Sequence, residues 1–147
     1  MDKEDRILQL NRLLANLFVL YIKFHRYNWY VKGEQAIALK GWFEQYSCQV
    51  KQHVDEVAEL ILLMDGQPFA TMEKYVKETT LQEATADDET IEMLNQLKAD
   101  ASLILQEVNG LLKASEKDYV HRVIVQTITT LEKTLLHIRY ECKQYLK

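Results

Sequence analysis

The sequence has few of the residues that interrupt helices. Its 147 residues include only four glycines and one proline, while 48% are hydrophobic and 27% are charged. Glycine and proline disfavour helix interiors, so their scarcity favours long helices over a sheet with many turns. We therefore expect an all-α fold. A chain of this length normally forms one domain, and we assign residues 1–147 to it.

Cysteine and surplus basic charge are also scarce. Cys48 and Cys142 lie far apart in the sequence and form no Cys-x-x-Cys pair, so we expect two reduced thiols. With a net charge of −4, the chain lacks the excess of lysine and arginine that binds a phosphate backbone, and we do not expect DNA binding. No run of about 18 apolar residues is present and the N-terminus is charged, which predicts a cytoplasmic protein without a membrane span.

Apolar residues recur at steps of three and four in four long segments, which is the pattern of amphipathic helices. The first should end near Gly33, because glycine adopts the left-handed conformation that closes a helix, and the second should end before Gly66. Asp87 or Asp88 would begin the third, and Ser115 would cap the fourth. The four predicted helices cover about residues 3–31, 36–64, 87–113 and 115–145.

A connection of some 20 residues separates the second predicted helix from the third. If these helices run in the same direction, the connection must traverse the bundle, and its length suits such a crossover. Within it, residues 80–84 predict a short helix, because Thr80 could cap it and Glu83 follows three residues later. We therefore expect a four-helix bundle whose long crossover contains a short helix.

Three carboxylates share one stripe of the second predicted helix. Asp55 and Glu59 are four residues apart, and Glu44 precedes Asp55 by eleven, which is close to three full turns. Eleven residues extend about 16 Å along a helix, so Glu44 and Asp55 of one chain cannot bind the same ion. A shared site would need two antiparallel copies of the helix, related by a two-fold axis. The alternative is an acidic stripe that only faces solvent.

Several segments resemble, in the same order, the Dps family of ferritin-like miniferritins. They are NWYVKG at 28–33, FEQY at 43–46, HVDEVAEL at 53–60 and MDGQPFATMEKYV at 64–76. The resemblance implies a ferritin-like four-helix subunit that assembles into a hollow, dodecameric homo-oligomer and stores iron. It also implies ferroxidase centres between two-fold related subunits, where peroxide or oxygen oxidises ferrous iron. In the family, two histidines and an acid come from one subunit, and an Asp-x-x-x-Glu pair comes from the other.

Matched residue by residue, the sequence keeps the acids of this centre and loses its histidines. Asp55 and Glu59 match the pair from the second subunit, and Glu44 stands where the family usually has aspartate. The histidine positions fall on Asn28 and Lys40. Asparagine offers iron only a weak carbonyl oxygen, and a protonated lysine has no lone pair. Either Lys40 takes the place of the metal, or Lys40 extends to solvent and the acids hold iron weakly.

Four further residues complete the predicted site and its access route. Trp29 follows the first lost histidine position, and His25, one turn before it, is a candidate replacement ligand. By the same resemblance, Asp118 lies on a three-fold iron pore, but Arg122, one turn later, would oppose the entry of cations. The leading prediction is Dps-type iron storage and oxidative-stress protection, with ferrous oxidation depending on the altered centre. The alternative is a non-catalytic shell or scaffold.

Overall fold

The computed structural model describes residues 2–84, 89–112 and 119–147, and within these ranges it contains five α-helices and no β-strand. The all-α class is therefore confirmed. The predicted caps at Asp87, Asp88 and Ser115 lie outside the described residues. The helices are α1 (Lys3–Tyr30), α2 (Ala36–Leu63), α3 (Met72–Glu78), α4 (Thr90–Leu112) and α5 (Tyr119–Tyr145).

The ends of α1 and α2 lie within one residue of the predicted ends, but they close differently. After α1 the chain turns at Gly33, whose φ of 97° is the predicted left-handed conformation. After α2 the left-handed residue is Asp65 (φ 62°) rather than the glycine. Gly66 is needed for packing instead, because a Cβ there would lie 3.0 Å from side-chain atoms of both Ile7 and Ile61.

Side-chain hydrogen bonds set the direction and register of α4 against α1. The bonded positions advance by seven and then four residues along α1, and they go back by seven and then four residues along α4. The two helices are therefore antiparallel. The three bonds are Asn16 Nδ2 to Glu107 Oε1 at 2.9 Å, Lys23 Nζ to Asp100 Oδ2 at 2.7 Å, and Tyr27 Oη to Gln96 Oε1 at 2.9 Å.

The same reasoning applies to α2 and α5. His53 Nε2 of α2 lies 2.8 Å from Thr134 Oγ1 of α5. About two turns nearer the start of α2, Tyr46 donates a hydrogen bond to Glu141, which is seven residues further along α5. These contacts make α2 and α5 antiparallel. Because α2 also folds back on α1 through a short turn, α2 and α4 run in the same direction, so the connection between them crosses the length of the bundle.

The crossover contains a short helix, but not at the predicted place. The helix is α3 (72–78), whereas residues 80–84 are not helical. Thr71 caps α3, since its side chain accepts a backbone N–H of the first turn. The Thr80 side chain is used elsewhere, because its hydroxyl accepts from Asn16 Nδ2 at 3.0 Å and donates to Glu107 Oε1 at 3.0 Å. The backbone N–H of Thr80 also donates to Asn16 Oδ1 at 2.9 Å, so the crossover is tied to α1.

The apolar faces of the helices form one buried cluster, with side chains from all five helices. By length and composition α1 could cross a membrane, yet 61% of its apolar window is buried inside the bundle. A helix at the core of a bundle has the same composition.

Candidate functional site

The last turns of α1 and the first half of α2 line an open cavity of about 330 Å³. Four of the predicted site residues line this cavity: His25, Asn28 and Trp29 from α1, and Glu44 from α2. Three α2 residues that sequence reasoning passed over also line it: Ser47, Cys48 and Lys51. The signal for the last two was present, because Cys48 and Lys51 continue the helical stripe that begins at Glu44.

Asn28 and Lys40 hold each other at the edge of this cavity. The Lys40 ammonium Nζ donates to the backbone oxygen of Asn28 at 2.5 Å, and Asn28 Nδ2 donates to the backbone oxygen of Lys40 at 2.7 Å. Asn28 lies in the last turn of α1, where carbonyls have no helical partner and a cation is favourable. That turn carries no basic residue of its own. Lys40 therefore supplies the positive charge that caps α1.

His25 is positioned by the cavity wall. Its Nε2 lies 3.2 Å from Ser47 Oγ. Tyr21 meets the imidazole edge to face at 4.4 Å between ring centroids, and Trp29 lies 5.7 Å from it on the other side. Trp29 itself is 67% exposed. The imidazole thus already has a polar neighbour, and a metal would have to compete with Ser47 for that nitrogen.

The three carboxylates are not brought together by one chain. Glu44 lines the cavity, whereas Asp55 and Glu59 do not. All three are exposed, and within the described ranges none of them forms an ion pair. Nor does this part of the chain bring three histidine, cysteine, aspartate or glutamate side chains into a group that could hold a metal ion. A single chain therefore keeps Glu44 apart from Asp55 and Glu59.

The predicted pore residues are only partly covered by the structure. Arg122 is exposed in the first turn of α5. Asp118 lies outside the described residues, so the pore remains a prediction.

A bundle with this topology defines a ferritin-like protein, and the ferritin-like domain model matches residues 7–140. The chain is 32% identical over 127 residues to DNA protection during starvation protein 2 of Bacillus anthracis, covering 84% of this chain and 87% of that protein. It is 32% identical over 114 residues to General stress protein 20U of Bacillus subtilis, covering 77% and 79%.

A solved structure agrees with these relatives. The crystal structure of Dps from Staphylococcus aureus superposes with a TM-score of 0.91 at 25% identity, covering 99% of this chain and 97% of that one. The chain therefore belongs to the Dps family of ferritin-like proteins.

The donors present do not fit the iron centre that the resemblance implies. Both histidine positions lack an imidazole, and the side chains that replace them bond to each other's backbone. What remains for iron is a set of carboxylate oxygens and the imidazole of His25, whose Nε2 already contacts Ser47 Oγ at 3.2 Å.

Proposed function

We propose that this protein is a Dps-type stress-protection protein that assembles into a dodecameric shell and holds iron inside it. We further propose that its two-fold site oxidises ferrous iron slowly or not at all. The names of its relatives, DNA protection during starvation and general stress protein, support the first part. The exchange of hydrogen bonds between Asn28 and Lys40 supports the second.

Electrostatics explains why this exchange should suppress the reaction. The substrate is a dication, and two like unit charges 4 Å apart repel by about 4 kcal/mol at an effective dielectric constant of about 20. Lys40 would sit where a neutral ligand is needed. The carboxylates of Glu44, Asp55 and Glu59 still favour cations, so weak iron binding with water in the coordination shell is compatible with slow turnover.

The test compares ferrous oxidation in three proteins. Ferrous iron and hydrogen peroxide are added to the assembled wild type, and ferric absorbance is followed against a buffer blank. We expect a rate near the blank, and a clearly higher rate for Asn28→His with Lys40→His, which restores both imidazoles. The matched control, Gln45→His with Gln126→His, adds two imidazoles at exposed positions and should stay near the wild type.

A fast wild-type rate that is lost in Asp55→Asn would contradict the slow-site proposal, because the carboxylates would then suffice for oxidation. Iron retention separates storage from the alternative function. A wild-type shell that keeps no iron after loading and gel filtration would favour a scaffold without iron chemistry. We expect no DNA binding in either case, because the net charge is −4.

A further inference from the structure

We infer that Lys40 is a built-in cation that replaces the metal between two copies of this chain, where it lies against Asp55 and Glu59 of the partner subunit. The inference rests on the assembly proposed above and deepens it, since it names what occupies the two-fold site. It predicts an interface that forms without a metal ion.

The first support is that Lys40 is held in place before any partner arrives. Its side chain is half-buried and one of its N–H groups is used by the backbone oxygen of Asn28 at 2.5 Å. An ammonium group has three donors, so two remain for carboxylates outside the chain. A lysine fixed in this way loses less freedom when it binds than a lysine free in solvent.

The second support is the outer face of α2, whose exposed carboxylates Glu44, Asp55 and Glu59 form no ion pair within the described residues. Along it the side chains at 40, 44, 48, 51, 55 and 59 follow one another at steps of three and four. Each end of this stripe carries a large apolar residue in water, since Ile37 is 89% exposed and Leu62 is 60% exposed. Pairing this face with another copy would remove both apolar side chains from water, which is favourable.

The apolar ends fix the register of that pairing. If two copies of α2 run antiparallel with Ile37 of one against Leu62 of the partner subunit, Lys40 falls opposite the partner's Glu59, one turn from the partner's Asp55. In the same register Glu44 meets the partner's Asp55, and a nearby cation would stabilise two ionised carboxylates in contact. Lys40, one turn before Glu44, is placed to be that cation. The stripe is therefore complementary to itself.

Cys48 provides an internal reporter of this register. The two-fold axis would cross α2 between Gln49 and Val50, so the two copies of Cys48 would be offset by about 4.5 Å along the helices. With helices packed 8–10 Å apart, their Cα atoms would lie roughly 6 Å apart, within the range of a disulfide. Cys48 is exposed, whereas Cys142 is buried and burial raises the pKa of its thiol to about 12. Only Cys48 should react.

The experiment measures crosslinking and dissociation in parallel. The wild-type assembly is treated with a mild thiol oxidant, and dimers are detected on a non-reducing gel, with Cys48→Ser as the control that should show none. Dissociation on dilution is then followed for Lys40→Glu, for Glu59→Lys and for the two together. We expect each single change to raise the dissociation concentration at least tenfold and the exchange of both charges to restore it to within about threefold.

Three control variants test whether altered dissociation comes from the proposed contact and not from unfolding or from a general change of charge. Glu59 is exposed without an intrachain partner in the described residues, so Glu59→Lys leaves the fold intact even if Lys40→Glu weakens the cap of α1. Lys133→Glu makes the same charge change at an exposed position on α5 and should not alter dissociation. Lys40→Met should make assembly respond to added Mn²⁺, whereas the wild type should ignore both Mn²⁺ and a chelator.

The outcomes separate this inference from the proposed function. Crosslinked dimers with no effect of Lys40→Glu and Glu59→Lys would overturn the role of Lys40 and leave the shell in place. An assembled particle without Cys48 crosslinks would overturn the register and with it the inference. A wild type that stays monomeric would overturn the proposed shell itself.

Discussion

Removing one partner of the buried ion pair between Lys23 and Asp100 should be the most damaging single change at the contact between α1 and α4. The two side chains are only 3% and 11% exposed, and Nζ lies 2.7 Å from Oδ2. It is the middle of the three bonds that set the register of α1, and the site residues of α1 follow within two turns. We predict that removing either charge alone costs much of the stability of the fold.

The expected loss of stability depends on the charged group that each single variant leaves without a partner. Breaking a buried ion pair costs about 3–5 kcal/mol because the remaining charge is buried without a partner. For a chain of this size that corresponds to a drop of roughly 6 to 20 °C in Tm. Lys23→Met should destabilise the fold by less than about 3–5 kcal/mol. Burial raises the pKa of Asp100, so its carboxyl group can bind a proton and avoid being left as a buried, unpaired charge. Asp100→Leu leaves an ammonium group instead.

The assay is urea unfolding of both single variants and of Lys23→Met with Asp100→Leu, at one fixed protomer concentration. We expect the double variant to recover most of the loss, because no unpaired charge remains. Lys3→Met is the control, since its ion pair with Asp65 is 3.7 Å long and 60% and 90% exposed, and it should cost less than about 1 kcal/mol. Single variants that each cost less than about 1 kcal/mol would refute the reasoning.

Three further predictions concern stability. Burial lowers the pKa of His53 below its ordinary value of 6.5, so as the pH falls the unfolded chain binds the proton first and stability should drop below pH 6.5, by at most about 1.4 kcal/mol per pH unit. His53→Gln should flatten this profile in urea titrations between pH 7.5 and 5, and a flat wild-type profile would contradict it. Gly66→Ala should cost about 1–3 kcal/mol because its Cβ meets Ile7. Asp65→Gly should stabilise by about 1 kcal/mol because it relieves a left-handed residue. Calorimetry that gave both changes the same sign would be inconsistent with the turn described.

Most of the fold was predictable from the spacing of apolar residues along each helix. The predicted spans of the first two helices, 3–31 and 36–64, differ from the structure by one residue at their C-terminal ends. The short helix was misplaced because Thr80 followed by Glu83 has the spacing of a capping box, while Thr71 caps α3 without such an acid. What decided between them was Asn16, a residue of α1, and a contact over 64 positions leaves no trace in local spacing.

The arrangement of the candidate site residues was predictable only for residues that belong to the same helix. Helical spacing placed Glu44, Asp55 and Glu59 on one stripe, because they all belong to α2. The contact between Asn28 and Lys40 joins two helices through a turn, and its geometry depends on how α1 ends. The same holds for His25 and Ser47. The sequence shows which residues these are, but it does not show that the side chains come into contact.

The exchange between Asn28 and Lys40 makes these two positions one unit rather than two independent losses. A histidine at 28 alone would remove the amide that bonds the Lys40 backbone and would stand beside an ammonium group. A histidine at 40 alone would remove the ammonium group that caps α1. Either single step back toward a metal centre therefore loses a bond before a second imidazole can supply coordination. The pairing of Asn28 with Lys40 therefore supports the proposal that the partner's acids, and not iron, are the counterpart of Lys40.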